Sequence, residues 1–196
     1  MPAAVTPFPL AGARRTALIY DRLDGYAGAE RVLEQQILLY PDADVFASVD
    51  ILRDEDRHFL RGKVPRTTFA QNWRFVRERH RQFLLLLAFA MEQLDLSAYE
   101  LVLSGSASIA KGVLVGPDQL HISYVHSPMR YAWDLQHQYL REAGLERGAK
   151  GMIARWILHR ARLWDLRTAN GVDLFIANSE FIARRIWRAY RRHAQV

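Results

Sequence analysis

The chain has 196 residues and carries a formal charge of +6 with no cysteine. That length suits one domain, not two full ones, and the surface-scaling rule buries roughly 70% of the unfolded surface, enough for a real core. The absence of cysteine excludes thiol catalysis, cysteine-ligated metal and disulfide stapling. The charge is unevenly placed: residues 1–60 sum to −4 and residues 61–196 to +10, with 24 of the 27 basic residues arginine. An arginine-rich half of this kind suits phosphate-bearing partners, whether nucleic acid, anionic lipid or diphosphate. No recognised nucleic-acid-reading motif occurs and the first sixty residues are acidic, so nucleic acid is not an expected partner. The longest apolar run, Phe83 to Met91, is nine residues, against about 20 for a membrane span. Residues 1–15 hold three prolines and no apolar signal core, so they read as a loose arm before a single domain at 16–196, and a cytoplasmic protein is expected.

In chain order, Thr16–Tyr20 (TALIY) predicts a first strand, followed by a Gly/Asp-rich loop at 21–28 and a helix at 29–40. Ala43–Val49 and Val64–Phe69 predict the next two strands, and Trp73–Leu94 one long helix, basic at first and then apolar. Glu100–Leu103 leads as a strand into a small-residue turn, SGSAS, and Leu120–Val125 is another strand. Helices are expected at 131–141 and 150–168, then a strand at Asp173–Ala177 and an arginine-studded helix at Glu180–His193. Apolar strands alternating with helices imply a mostly parallel sheet with helices on both faces, an α/β Rossmann-like three-layer sandwich.

In such a sheet ligands bind beyond the carboxyl ends of the strands. The loop Gly25-Tyr26-Ala27-Gly28 opens a helix, where glycine permits close backbone approach and the helix start offers N–H groups to a diphosphate; a tight strand-to-helix turn would use the same glycines. Ser104, Ser106 and Lys111 stand after the fourth strand, as caps or as ligands for sugar and phosphate oxygens. The densest polar-aromatic cluster is His126-Ser127-Pro128-Met129-Arg130-Tyr131-Ala132-Trp133-Asp134. Aromatic faces stack on sugars, arginine forks phosphate and a carboxylate fixes hydroxyls, so His126, Arg130, Tyr131, Trp133 and Asp134 are candidate site residues. Ser179 is a candidate N-cap, with Asn178 beside it on the same edge. Asp42-Ala43-Asp44 and Asp54-Glu55-Asp56 match a two-carboxylate metal pattern too short to be specific, and no metal or cofactor is expected. Arg74, Arg77, Arg79 and Arg81 open a helix that turns apolar; that helix suits an anionic bilayer interface, or a crossover helix with its apolar half buried.

GYAGAERVL, SGSASIAKGV, HISYVHSPMRYAWD and VDLFIANSEFIARRI, in this order, resemble the amino-terminal half of family 4 retaining glycosyltransferases, closest to the bacterial branch that builds cell-surface polysaccharides on lipid carriers. The resemblance covers about residues 16–196. It implies one lobe of a two-lobed GT-B enzyme, acceptor-binding, with the nucleotide-sugar held mainly by a second lobe that is not present. It places Gly28 against the donor diphosphate, His126 near the transferred sugar, and Ala27 where the family usually has glycine. The donor-site Glu-x7-Glu motif is not in place, and Ala194-Gln195-Val196 falls where the family begins the strand that crosses to the second lobe. The implied function is transfer of a sugar from a nucleotide-sugar to a lipid-linked or glycan acceptor, without metal, this lobe by itself binding without turnover. The rival reading is a stand-alone, non-catalytic subunit that anchors to the membrane, binds acceptor and recruits a separate donor-binding partner.

Overall fold

The computed structural model describes residues 15–79 and 82–196, with Arg79 described in its backbone only. The expected arm therefore lies, apart from Arg15, outside the described residues. Seven strands form one sheet: β1 (Thr16–Tyr20), β2 (Asp44–Ala47), β3 (Arg66–Thr67), β4 (Leu101–Ser106), β5 (Leu120–Val125), β6 (Leu174–Ala177) and β7 (Ala194–Gln195). Their spatial order is β3-β2-β1-β4-β5-β6-β7 and every pairing is parallel. The helices are α1 (Gly28–Leu39), α2 (Arg74–Arg79), α3 (Leu84–Glu92), α4 (Gln136–Glu142), α5 (Gly148–Thr168) and α6 (Glu180–Tyr190). This is the expected Rossmann-like α/β architecture.

Strand alternation sorts the core into two layers. Leu18, Val45, Leu101 and Leu103 point to the face covered by Leu33 and Ile37 of α1 and by Phe59 and Leu60 of a short 3-10 turn. Ala17, Ile19, Phe46 and Val102 point to the opposite face, against Leu87, Ala88 and Met91 of α3 and Ala161 of α5. On that second face α6 covers Phe175 and Ala177 with Ile182, Ile186 and Tyr190. The layers are unequal. On the α1 face, Leu120, Ile122 and Tyr124 of β5 and Leu174 and Ile176 of β6 stay half-buried, while their neighbours facing the other way are buried. A parallel sheet normally has both faces covered; here Leu120 and Ile122 pack at the margin of the α1-side cluster, and Tyr124, Leu174 and Ile176 join none of the buried clusters.

Several boundaries differ from expectation: the helix expected at 131–141 begins only at Gln136 after a turn at 131–135, the one expected to reach His193 ends at Tyr190, and β2 is shorter than 43–49. The predicted helix 73–94 is two helices, α2 and α3. Phe83, with φ −104° and ψ 32°, leaves helical backbone and stands as the N-cap from which α3 starts. The apolar half turns inward, with Leu87, Ala88, Ala90 and Met91 buried, as expected of a crossover helix. β3 shrinks to two residues because it is an edge strand, and Thr68 caps a 3-10 turn by accepting from the Ala70 N–H at 3.3 Å. β4 instead runs on to Ser106, since residues 104–106 are paired by β5 and 104–105 by β1 as well. Ala194–Gln195 pairs with β6 as the edge of this same sheet.

Candidate functional site

The carboxyl ends of β1, β4, β5 and β6 present Tyr20, Ser106, His126 and Asn178 along one edge. His126 follows β5 directly, and its backbone N–H donates to the Ser106 carbonyl at 2.9 Å, which continues the β4–β5 ladder one residue beyond the strand. Its half-buried ring lies edge-on to Tyr20, with Nε2 3.3 Å from the Tyr20 hydroxyl, and 5.2 Å between centroids from Tyr124. Burial lowers the His126 pKa below its ordinary value, and the nearby Asp21 charge works against that. Tyr20 is raised far above the usual phenol range by burial, reinforced by Glu30 and Asp21. The Tyr20 hydroxyl thus engages Nε2, and Nδ1 takes no protein hydrogen bond among the described residues.

The loop after β4 is organised by a residue that sequence reasoning passed over. The carboxylate of Asp21, the first residue beyond β1, accepts from the backbone N–H groups of Ala107 at 2.7 Å, Ile109 at 2.7 Å and Ala110 at 2.6 Å. A turn of converging N–H groups is a ready anion site; here the protein's own anion fills it. Gly105 pairs with Tyr20, and a Cβ there would stand 2.8 Å from the Tyr20 Cδ2. The glycine of SGSAS thus makes room for the ring that meets His126. A small residue aligned opposite a tyrosine was the available signal, but only the pairing register reveals the alignment.

At the start of α1, Glu30 folds back so that its carboxylate accepts the Ala27 N–H at 3.0 Å. Ala27 sits in extended backbone, φ −135°, so no glycine is needed where the resemblance expects one. Neither Gly25 nor Gly28 has positive φ, and a Cβ on either would meet nothing within 4 Å. Arg22 is held by Asp24 at 2.7 Å, and Tyr131 meets Ser108 oxygen to oxygen at 2.7 Å. Arg130 is exposed and has no ion-pair partner among the described residues. Asn178 is exposed beside Ser179, whose hydroxyl caps α6 by accepting from Ile182 at 3.3 Å, as expected.

Four predicted ligand residues are structural instead. Lys111 is only 2% exposed. Its ammonium pairs with Asp165 and donates to Thr168 at 3.1 Å. Asp165, wholly buried on α5, also accepts from Trp133 Nε1 at 2.7 Å and the Tyr190 hydroxyl at 2.9 Å. Lys111 and Trp133 therefore tie the post-β4 loop and the HSPMRYAWD segment to α5 and α6. The reason is the low dielectric of the interior: a buried ammonium needs a carboxylate beside it and has none to spare for a ligand. Ser104 is buried in β4, its hydroxyl bound to His121 Nε2 at 2.9 Å. Ser106 is also buried and contributes its carbonyl to His126. Asp134 remains exposed but is ion-paired with Arg185. What the edge leaves available is His126, Arg130, Tyr131, Asn178 and the backbone of Gly25 and Gly28, since the Ala27 N–H is taken by Glu30.

This floor is open, not enclosed. Two hollows of about 360 and 540 Å³ lie elsewhere, one between the end of α1 and Arg61–Lys63, the other between residues 92–97 and 114–119. Both are at the amino edge of the sheet. Among the described residues no group of three or more His, Asp or Glu is placed to hold a metal, and no helix is long and apolar enough to cross a membrane. Arg74 of α2 is paired with Glu78 at 2.8 Å; the Arg79 side chain and Arg81 lie outside the described residues.

The chain matches no family model, no curated protein and no solved structure. Fold and site together define a Rossmann-like α/β domain with an open polar edge at the carboxyl ends of its strands.

Proposed function

We propose that the chain is the acceptor-binding lobe of a retaining, nucleotide-sugar-dependent glycosyltransferase, taking a lipid-linked or glycan acceptor at the inner face of a membrane. One observation carries this reading: His126, a half-buried imidazole whose Nδ1 takes no protein hydrogen bond among the described residues, stands at the carboxyl edge beside Tyr20 and Tyr124. Such an edge is where open parallel sheets bind ligands. In the proposed enzyme His126 contacts the sugar, Arg130 and Asn178 the acceptor, and the backbone at Gly25 and Gly28 the donor diphosphate, the Ala27 N–H being taken by Glu30. The half-buried strip on β5 and β6 ends at Tyr124, in contact with His126, and supports a second body packing beside the site.

The test is a heteronuclear NMR titration of the labelled chain with soluble polyprenyl-diphosphate sugars, free oligosaccharides and sugar nucleotides. Saturable shifts are expected at the His126 ring, Arg130 and Asn178, lost in His126→Ala, with no product by mass spectrometry. Shifts at the amino edge alone, or none with any acceptor, refute the site. Turnover by the chain alone refutes the division of labour between lobes.

A further inference from the structure

Helix α5 is apolar on two opposite sides. Its inner side packs Leu158, Ala161 and Trp164 into the core. A surface helix should then turn a polar side to water, but α5 exposes Met152 (69%), Ile153, Trp156 (61%), Leu163 and Leu166. At 100° per residue Met152, Trp156 and Leu163 fall within about 40° of one another, with Ile153 and Leu166 flanking them. The stripe runs over about ten residues' rise at its core and some 21 Å from end to end. Exposed His159 lies within the same row; an otherwise apolar stripe of this size on a folded surface marks an interaction site.

The charges around it have one sign. Between 147 and 168 the basic residues are Arg147, Lys150, Arg155, Arg160, Arg162 and Arg167, and the only acid is Asp165, which is wholly buried and neutralised by Lys111. Arg160 lies 6.0 Å above the Trp156 ring, so a cation and an indole are held together at the middle of the stripe. Of these cations Arg155 donates to the Glu146 carbonyl at 2.6 Å and Arg162 to the Ala132 carbonyl at 2.7 Å, neutral acceptors that leave both charges uncompensated, while Arg167 is ion-paired with Glu92 of α3. The same pairing sets α3 beside α5 on one face of the sheet, and α3 exposes Phe89, whose ring meets Phe69 at 6.1 Å. The outer side of this helix layer is therefore aromatic and aliphatic, flanked by cations along α5.

We propose that the outer face of α5 docks on an anionic lipid bilayer, lying in the interfacial plane. Apolar side chains with an indole enter the boundary between headgroups and acyl chains, while the flanking arginines and lysine meet phosphates. An acidic amphipathic protein partner would match the stripe less well: the cations flank the apolar row on both sides along 20 residues, as a plane of anions requires. The surface also reassigns membrane contact within this chain, from the basic segment at 74–81 to α5. It goes beyond the transferase reading and stands or falls without it, since vesicle binding needs no sugar.

The experiment is flotation of the purified chain with phosphatidylcholine vesicles, with and without 30% phosphatidylglycerol, at about 0.1 M salt. Binding is expected with the anionic vesicles only, accompanied by a blue shift of tryptophan emission that disappears in Trp156→Phe. Met152→Ser/Trp156→Ser/Leu163→Ser should lower binding at least tenfold, and Lys150→Ser/Arg160→Ser about as much. All five side chains are on the surface, so thermal unfolding should be nearly unchanged and loss of fold is separable. Arg74→Ser/Arg77→Ser should change binding less than twofold. The proposal is overturned by absence of binding to anionic vesicles, by undiminished binding of the stripe variant, or by a larger loss in the α2 variant. Vesicle binding with no acceptor shift at His126 would overturn the transferase reading alone.

Discussion

Replacing Lys111 by methionine isolates the buried ion pair from any role in ligand binding. Methionine keeps the length of the aliphatic stem and removes the ammonium. Asp165 would remain wholly buried, with only two neutral donors, Trp133 Nε1 at 2.7 Å and the Tyr190 hydroxyl at 2.9 Å. Removing one partner of such a pair costs about 3–5 kcal/mol, because the other charge is left uncompensated. Domains are stable by about 5–15 kcal/mol in total, so the variant should fold but marginally. With a urea slope of about 2–3 kcal/mol/M, the midpoint should fall by roughly 1–2.5 M. The double variant Lys111→Met/Asp165→Leu removes both charges and should recover at least about 2 kcal/mol relative to the sum of the single losses. Urea unfolding followed by tryptophan fluorescence and circular dichroism measures all four corners of the cycle. A Lys111→Met midpoint within about 1 kcal/mol of wild type, or strictly additive losses, would refute the buried-pair argument. Under native conditions the acceptor shifts at His126 should survive in the folded fraction of Lys111→Met, as they would not if Lys111 bound ligand.

His121 should impose a pH dependence on stability. Its Nδ1–H donates to the Gly171 carbonyl and its Nε2 accepts from Ser104, both at 2.9 Å, and burial lowers its pKa to about 4. The unfolded chain protonates this imidazole near its ordinary 6.5 while the folded one resists until about 4. Stability is therefore intact above 6.5 and falls by about 3 kcal/mol as the pH drops from 6.5 to 4; urea midpoints across that range should show the slope, and His121→Gln should lose it. Gly105→Ala should cost about 1–3 kcal/mol, because its Cβ collides with the Tyr20 ring, and should move the His126 ring resonances. Gly25→Ala, with open space around it, should change the melting temperature by no more than a degree or two. Asp21→Asn should lose amide-exchange protection at Ala107, Ile109 and Ala110 together, since one carboxylate holds all three; unchanged exchange at these positions would contradict that role.

Much of the layout was legible because local periodicity reports burial. β1 and β5 fall at their expected residues, and α1 and α5 begin and end within two residues of expectation. Unbroken apolar runs such as TALIY mark strands covered on both faces, and Ser179 could be read as a cap because capping is a short-range hydrogen bond. The site was less legible. Lys111, Trp133 and Ser104 have the chemistry of ligands, and only their burial beside Asp165 or His121 shows that they are committed to the core. Asp21 attracted no attention as one acid in a Gly/Asp-rich loop, yet its partners lie 86 to 89 residues away.

The sequence by itself determined the alternation of strand and helix, the parallel sheet that follows from it, and the edge on which His126 and Asn178 must lie. These depend on hydrophobic pattern and chain direction, which any stretch of a dozen residues carries. Only the tertiary structure decided which charges are available. Whether an arginine, lysine or aspartate faces water or a buried counter-charge depends on residues far off in the chain. The same holds for the apolar side chains of α5: composition shows that they exist, but packing decides which row is spent on the core and which is left outside.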